Sequence, residues 1–116
     1  MDTPATLAAI IIDTADPAKL AAFYAKLTGW PPGYQDDDFS SLGEGPIKLG
    51  FQRVAGYQSP GWPDPAKHAH LDLRVPDLAK GVERALELGA GKPEFQPGDS
   101  WVVLTDPEGH PFCLTS

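Results

Sequence analysis

The segment His68-Ala69-His70-Leu71-Asp72-Leu73-Arg74-Val75 alternates polar and apolar side chains without a break, which is the period of a β-strand. One face would carry Ala69, Leu71, Leu73 and Val75 and pack against a neighbouring element. The other would carry His68, His70, Asp72 and Arg74. Two imidazoles, a carboxylate and a guanidinium suit ligand binding, metal ligation or proton transfer better than plain hydration, for which Lys, Glu and Thr are the ordinary choice. On a strand, positions i and i+2 lie about 6.6 Å apart, so His68 and His70 are close enough to turn toward one ion. A stable metal centre needs three or four donors, however, and Asp72, Gln52, Lys48 and Cys113 form no recognised spacing with the pair. The residues alone leave three readings open: hydrogen bonding to neighbouring strands with solvated strand ends, a cavity wall without metal, and metal ligation by His68 and His70.

The elements that must position this strand repeat along the chain. Leu7 to Thr14 is apolar and rich in Ile, as a buried strand should be, and Asp13 to Pro17 breaks it. Asp16 is then a good helix N-cap and Pro17 a good first helical residue, with Leu20, Phe23, Tyr24 and Leu27 on one face and Gly29 as the stop. The same grammar returns after the His-bearing strand, with Asp77 as N-cap, Leu78 to Leu88 as helix and Gly89 as stop. An offset of 61 pairs Asp16 with Asp77, Ala18 with Ala79, Lys19 with Lys80 and Leu27 with Leu88. Shorter strands are expected at Phe39 to Leu42 and Ile47 to Val54 in the first half. In the second half they are expected near Lys92 to Phe95, at Trp101 to Thr105 and at Phe112 to Thr115, with a tight turn at Asp106-Pro107-Glu108-Gly109. This order predicts an α+β fold of two β-α-β-β-β modules within a single 1–116 domain. Module one spans about 5–55, a Pro-rich linker about 55–67, and module two 68–116. A single module would leave one face of its sheet bare, so two must combine to cover it.

Charge and composition narrow the function. The formal net charge is −7 and the pI about 4.7, which repels phosphate backbones and argues against nucleic acid as a partner. No apolar run approaches the roughly 20 residues of a membrane-spanning helix. The N-terminal residues lack the basic segment and apolar stretch of a secretory signal, and a lone Cys113 cannot form an internal disulfide, so a cytoplasmic location is expected.

Three stretches together resemble the vicinal oxygen chelate superfamily, which includes glyoxalase I, bleomycin-resistance proteins and extradiol dioxygenases. They are Asp16-Pro17-Ala18-Lys19-Leu20-Ala21-Ala22-Phe23-Tyr24 with Leu27-Thr28-Gly29-Trp30, His70-Leu71-Asp72-Leu73-Arg74-Val75-Pro76-Asp77-Leu78, and Asp106-Pro107-Glu108-Gly109-His110-Pro111-Phe112-Cys113-Leu114. The resemblance covers nearly the whole chain. It implies paired modules whose sheets curl around a shared cavity with the helices outside, and family members commonly dimerise to complete that cavity. The family's metal enzymes place a His on the first strand of each module and a carboxylate on the last. Seven residues before the capping Asp, that His falls on His70 in module two but on Ala9 in module one. The carboxylate position falls on Cys113 in module two and near Gly50 or Gln52 in module one. Only His70 matches, so the resemblance argues for the fold and against the usual metal-dependent catalysis.

The remaining candidates are aromatic, acidic or thiol groups. Trp30 and Trp62 stand in Gly/Pro-rich loops, where they would either wall a flat ligand or pack over the core rim. Trp101 is expected in the core and His110 at the surface. Asp36-Asp37-Asp38 is expected as a solvated loop, with attraction of a cationic ligand as the sharper alternative. Cys113 is expected as a small buried strand residue rather than a nucleophile. The resulting expectation is a metal-free, homodimeric small-molecule binding protein with no cofactor, holding a partly aromatic ligand against His68, His70, Asp72, Gln52, Trp30, Trp62 and Cys113. The alternatives are a lyase, isomerase or dioxygenase with a divalent metal at a non-standard site around His68 and His70, and metal-free acid/base catalysis by His70 beside Asp72.

Overall fold

The computed structural model describes residues 6–66 and 69–116. The chain divides between Tyr57 and Gln58 into two compact units, and each repeats the expected α+β grammar. Unit one runs β1 (Ala9–Thr14), α1 (Pro17–Thr28), β2 (Pro32–Gln35), β3 (Phe39–Leu42) and β4 (Lys48–Arg53). Its sheet has the order β1-β4-β3-β2, with β1 parallel to β4 and the other pairs antiparallel. Unit two runs β5 (Leu71–Arg74), α2 (Leu78–Glu87), β6 (Trp101–Thr105) and β7 (Pro111–Thr115), with sheet order β5-β7-β6 and β5 parallel to β7. Among the described residues, no helix is long and apolar enough to cross a membrane.

Local chemistry sets the helix ends. The Asp16 carboxylate accepts from the Lys19 N–H at 3.2 Å, Pro17 fills the first helical position, and Gly29 closes α1 in the left-handed region at φ 74°. Asp77 repeats the N-cap by accepting from the Lys80 N–H at 3.1 Å. The apolar stripe of α1 then has one side of the sheet to cover. Leu20, Phe23 and Tyr24 are buried with Leu42, Leu49 and Phe51, and the Tyr24 ring stacks on Phe51 at 5.5 Å. Each such side chain contributes about 1.5–3 kcal/mol on full burial. In unit two the buried apolar set is Ala85, Val103, Leu104, Phe112, Cys113 and Leu114. The β5 end approaches α2 at Gly81, where any Cβ would lie 2.9 Å from Val75 Cγ2.

One strand is added to those expected and one expected strand needs correction. Pro32–Gln35 is strand β2 although its Pro and Gly suggest a loop. It is an edge strand, where a missing N–H costs little, and the Tyr34 N–H finds the Ser41 hydroxyl at 3.0 Å. Conversely, Lys92 to Phe95 is not a strand; only an isolated bridge between Gly91 and Thr105 forms there. Pro93 has no donor to offer, and the Gln96 side chain takes the strand's place by bonding the Val103 main chain. The second module is therefore β-α-β-β plus a bridge.

Candidate functional site

Register decides which side chains share a face. In unit one, Ser40 and Leu42 of β3 pair with Phe51 and Leu49 of β4 on the helix side. On the other side, Ile11 pairs with Gly50, Asp13 with Gln52, and Phe39 with Gln52. This second face has no helix of its own unit over it. At its centre a Cβ on Gly50 would lie 2.6 Å from both Ile11 Cδ1 and Phe39 Cζ, so these two side chains have closed over the glycine and made that spot apolar. Gln52 is exposed further along β4.

In unit two, Leu71 and Leu73 are half-buried, whereas Asp72 and Arg74 are exposed. The alternation read from the sequence thus holds, although the regular strand begins only at Leu71. His68 lies outside the described residues. His70 stands just before β5 on the polar side, and its Nε2 is 3.2 Å from Asp72 Oδ1. Parallel pairing sets Asp72 directly beside Cys113. One donor atom from each of His70, Asp72 and Cys113 lies within 4.8 Å of the others, with the thiol residue buried and the other two exposed. Among the described residues this is the only group of three imidazole, thiol or carboxylate side chains so placed. Sequence reasoning named all three, but only the β5–β7 register brings them together.

The family's usual ion does not fit these residues. Of the donors that the resemblance implies, module two keeps the imidazole of His70 but carries the thiol of Cys113 where a carboxylate is expected, and a soft sulfur suits a hard octahedral cation poorly. At the matching centre of module one, Gly50 supplies no side chain and Ile11 and Phe39 occupy the space.

The aromatic candidates take different places. Trp30 packs its ring against Gly43, where a Cβ would meet Cε3 at 2.9 Å, and remains 39% exposed. Trp62 stacks on Phe95 with ring centroids 6.4 Å apart and donates its indole N–H to the Phe95 carbonyl at 3.2 Å. Trp101 lies over Gly98, closer than any Cβ there would allow, and is exposed rather than in the core. A strand-end Trp has only one neighbouring strand to cover it, which the alternation pattern does not reveal.

His110 also departs from expectation. Its side chain is only 13% exposed, and Nδ1 lies 2.8 Å from the fully buried Asp106 carboxylate. Asp106 further accepts from the Glu108 and His110 N–H groups at 2.9 and 3.0 Å, so this pair braces the β6–β7 turn. The Asp-Pro-x-Gly spelling signalled the turn but not the burial of its first residue.

The acidic run is largely structural. Asp36 accepts from the Asp38 and Phe39 N–H groups, both at 2.8 Å, and from the Tyr34 hydroxyl at 2.5 Å. Hydrogen bonding from Tyr34, then from the Asp38 N–H, holds the Asp36 carboxyl below its ordinary value, and the same contact raises the Tyr34 phenol. Arg53 Nε donates to the Asp37 carbonyl at 3.1 Å and lies 3.6 Å from Asp38 Oδ1. Beside them an open polar groove of about 420 Å³ is lined by Asp16, Gln35, Asp36, Asp37 and Arg53 with Pro17 and Ala18. Nothing in the sequence links these residues, because the β2–β3 turn and the end of β4 meet only in the folded sheet.

Comparison with solved structures supports the fold. A glyoxalase/bleomycin resistance protein/dioxygenase family enzyme from Burkholderia phytofirmans PsJN is 23% identical over 95% of this chain and 97% of its own, with a TM-score of 0.74. A glyoxalase-related enzyme from Fulvimarina pelagi is 19% identical over 95% and 86%, with a TM-score of 0.69. The bleomycin-binding protein of Streptomyces verticillus, solved with copper(II)-bleomycin, is 17% identical over 99% and 98%, with a TM-score of 0.64. No curated protein sequence matches significantly. The glyoxalase-like domain family matches residues 9–115. With both modules present and nearly the whole length matched, the chain belongs to the glyoxalase-like domain family.

Proposed function

We propose that this chain binds a small, partly aromatic molecule without the octahedral metal ion of the family's metal enzymes. One observation carries the reading: within module two, His70, Asp72 and Cys113 gather on one face of the sheet. A few convergent polar groups are what fix a small organic ligand in its site. The structurally similar bleomycin-binding protein offers a precedent for binding rather than turnover. The working form is a homodimer in the cytoplasm. In support, β1 is an edge strand with Leu7, Ile10 and Ile11 exposed beside it or on it, a combination that favours covering by another chain. The only cysteine forms no disulfide, which suits a reducing compartment.

The test is a titration of chelator-treated protein with a panel of aromatic and cationic compounds, following Trp fluorescence. A saturable change that survives chelation is expected. Silence across the panel would overturn the reading, and a monomer in sedimentation would overturn the dimer.

The proximity of His70, Asp72 and Cys113 favours a second reading, a lyase, isomerase or dioxygenase with a metal at a non-standard centre. Stoichiometric metal in the purified protein, with turnover lost on chelation, would rank it first.

A further inference from the structure

We propose that the groove between the start of α1 and the β2–β3 turn binds a small basic amino acid, an α-amino carboxylate with a second cationic group. The inference does not rest on the reading above, whose residues belong to unit two. The groove lies wholly within unit one, and its volume of about 420 Å³ falls in the range of small-molecule sites, about 300–1,000 Å³. Register places it on the helix side of the sheet. Gln35 pairs with Ser40 and Ser40 with Phe51, whose ring stacks on Tyr24 of α1; Arg53 follows two residues after Phe51 on the same side. Ser40 is 2% exposed, and its hydroxyl is buried with no hydrogen-bond partner among the described residues. Buried hydroxyls are ordinarily satisfied. This one stands on the groove's side of the sheet, one strand inward of the lining residue Gln35, and so points to a polar ligand group at the inner end.

The lining charges select the ligand. Asp16, Asp36 and Asp37 set three carboxylates against the single guanidinium of Arg53, in a chain whose net charge of −7 draws cations toward it. These groups are not equally free. Asp36 is engaged by Tyr34, Asp38 and Phe39, and one oxygen of Asp16 caps Lys19. Asp37 uses only its carbonyl, for Arg53 Nε, and its carboxylate has no partner among the described residues. Asp37 and the second oxygen of Asp16 are therefore left to take cations. Arg53 keeps its two terminal amino groups, whose planar fork suits a carboxylate, and the Gln35 amide offers both donor and acceptor. A simple polyamine would meet Arg53 with like charge, and a simple carboxylic acid would meet three acids. A molecule with two cations and one carboxylate answers both signs, and it is bound with no covalent bond made or broken.

The probe is L-arginine, titrated into isotope-labelled full-length protein and followed by NMR, which locates binding residue by residue. Saturable shifts are expected at Gln35, Asp37, Ser40 and Arg53, with His70 and Asp72 unmoved. Agmatine, which lacks the carboxylate, and L-norleucine, which lacks the second cation, should each bind about threefold to fivefold more weakly, as loss of one exposed charge pair implies. Asp37→Asn, at an exposed side chain, should weaken arginine binding to a similar degree with the circular dichroism spectrum unchanged. Arg53 also braces the turn, so Arg53→Gln is read by a ratio: it should abolish the preference for arginine over agmatine, which loss of the brace alone would not do. Glu94→Gln, in unit two, leaves binding intact. Shifts that never saturate, shifts centred on β5, agmatine binding as tightly as arginine, or Asp37→Asn binding as tightly as the parent would each overturn the proposal. Silence of the fluorescence panel together with saturable arginine shifts in the groove would sink the reading at His70 and leave this site standing.

Discussion

The side-chain amide of Gln96 is bonded to both main-chain groups of Val103. It accepts from the Val103 N–H and donates to the Val103 carbonyl, each at 2.9 Å, and donates also to the Pro93 carbonyl at 2.9 Å. One side chain thus supplies to the outer edge of β6 what a further strand would have supplied. Gln96→Ala leaves the Val103 groups without these partners on a buried residue and should cost about 1–3 kcal/mol. Urea denaturation checks this, and an unchanged midpoint would show that water replaces the amide at no cost.

Gly50 is the position where the apolar character of the module-one face can be tested. An added Cβ meets the ends of Ile11 and Phe39 at 2.6 Å, and overpacking of this kind costs about 1–3 kcal/mol. Ile11 is 46% exposed and has room to swing away, so Gly50→Ala should fall near the low end, about 1 kcal/mol. Thermal melts measure the loss, and NMR shifts of the Phe39 ring report its displacement.

Asp106 is buried with two main-chain N–H groups and an imidazole on its carboxylate. Asp106→Ala leaves those donors unmatched and should destabilise by about 2–4 kcal/mol, in the range of broken buried networks. Asp106→Asn keeps acceptor capacity and should lose less. Equal losses in chemical denaturation would show that the carboxylate's acceptor role is not what matters.

Helices were legible because each begins at an Asp that finds its own N–H three residues on and ends at a glycine; those signals are local. The His70 to Arg74 face was legible for the same reason, since alternation is a property of one segment. What could not be read depends on register. The approach of Cys113 to Asp72 is set by the β5–β7 pairing, and the closure of Ile11 and Phe39 over Gly50 by the order β1-β4-β3. The Lys92 to Phe95 strand failed because a Gln side chain satisfied the β6 edge instead, a substitution that propensity does not encode. Trp101 and His110 exchanged their expected exposures because burial at a strand end or inside a turn depends on neighbours distant from the local pattern.

The Tyr34–Asp36 contact makes a pH prediction with a definite sign. The Asp36 carboxyl, held low by the Tyr34 hydroxyl and the Asp38 N–H, contributes stability in full above its unfolded value of 3.8 and loses it as pH falls through the depressed folded value. The Tyr34 phenol is raised by the same hydrogen bond and by the charge of Asp36. Its contribution is present below the unfolded value of 10.0 and is lost as pH rises through the folded one. Tyr34→Phe should therefore move the Asp36 titration upward in carbon-detected NMR. An unmoved Asp36 would assign the depression to the loop N–H groups alone.

His70 separates scaffold from site. Its imidazole precedes β5, keeps 38% of its side-chain surface exposed, and makes one contact of 3.2 Å, to a carboxylate that is itself 69% exposed. An exposed pair of this kind contributes about 0–1 kcal/mol to folding, so His70→Ala should shift the denaturation midpoint only slightly. A ligand hydrogen bond of ordinary strength is worth about 0.5–1.5 kcal/mol, so the same variant should weaken ligand binding up to about tenfold in the fluorescence titration. His70→Gln, which keeps a donor and acceptor near the ring's position, should recover part of that loss. Unchanged affinity in both variants, with folding intact, would place the ligand away from the polar face of β5.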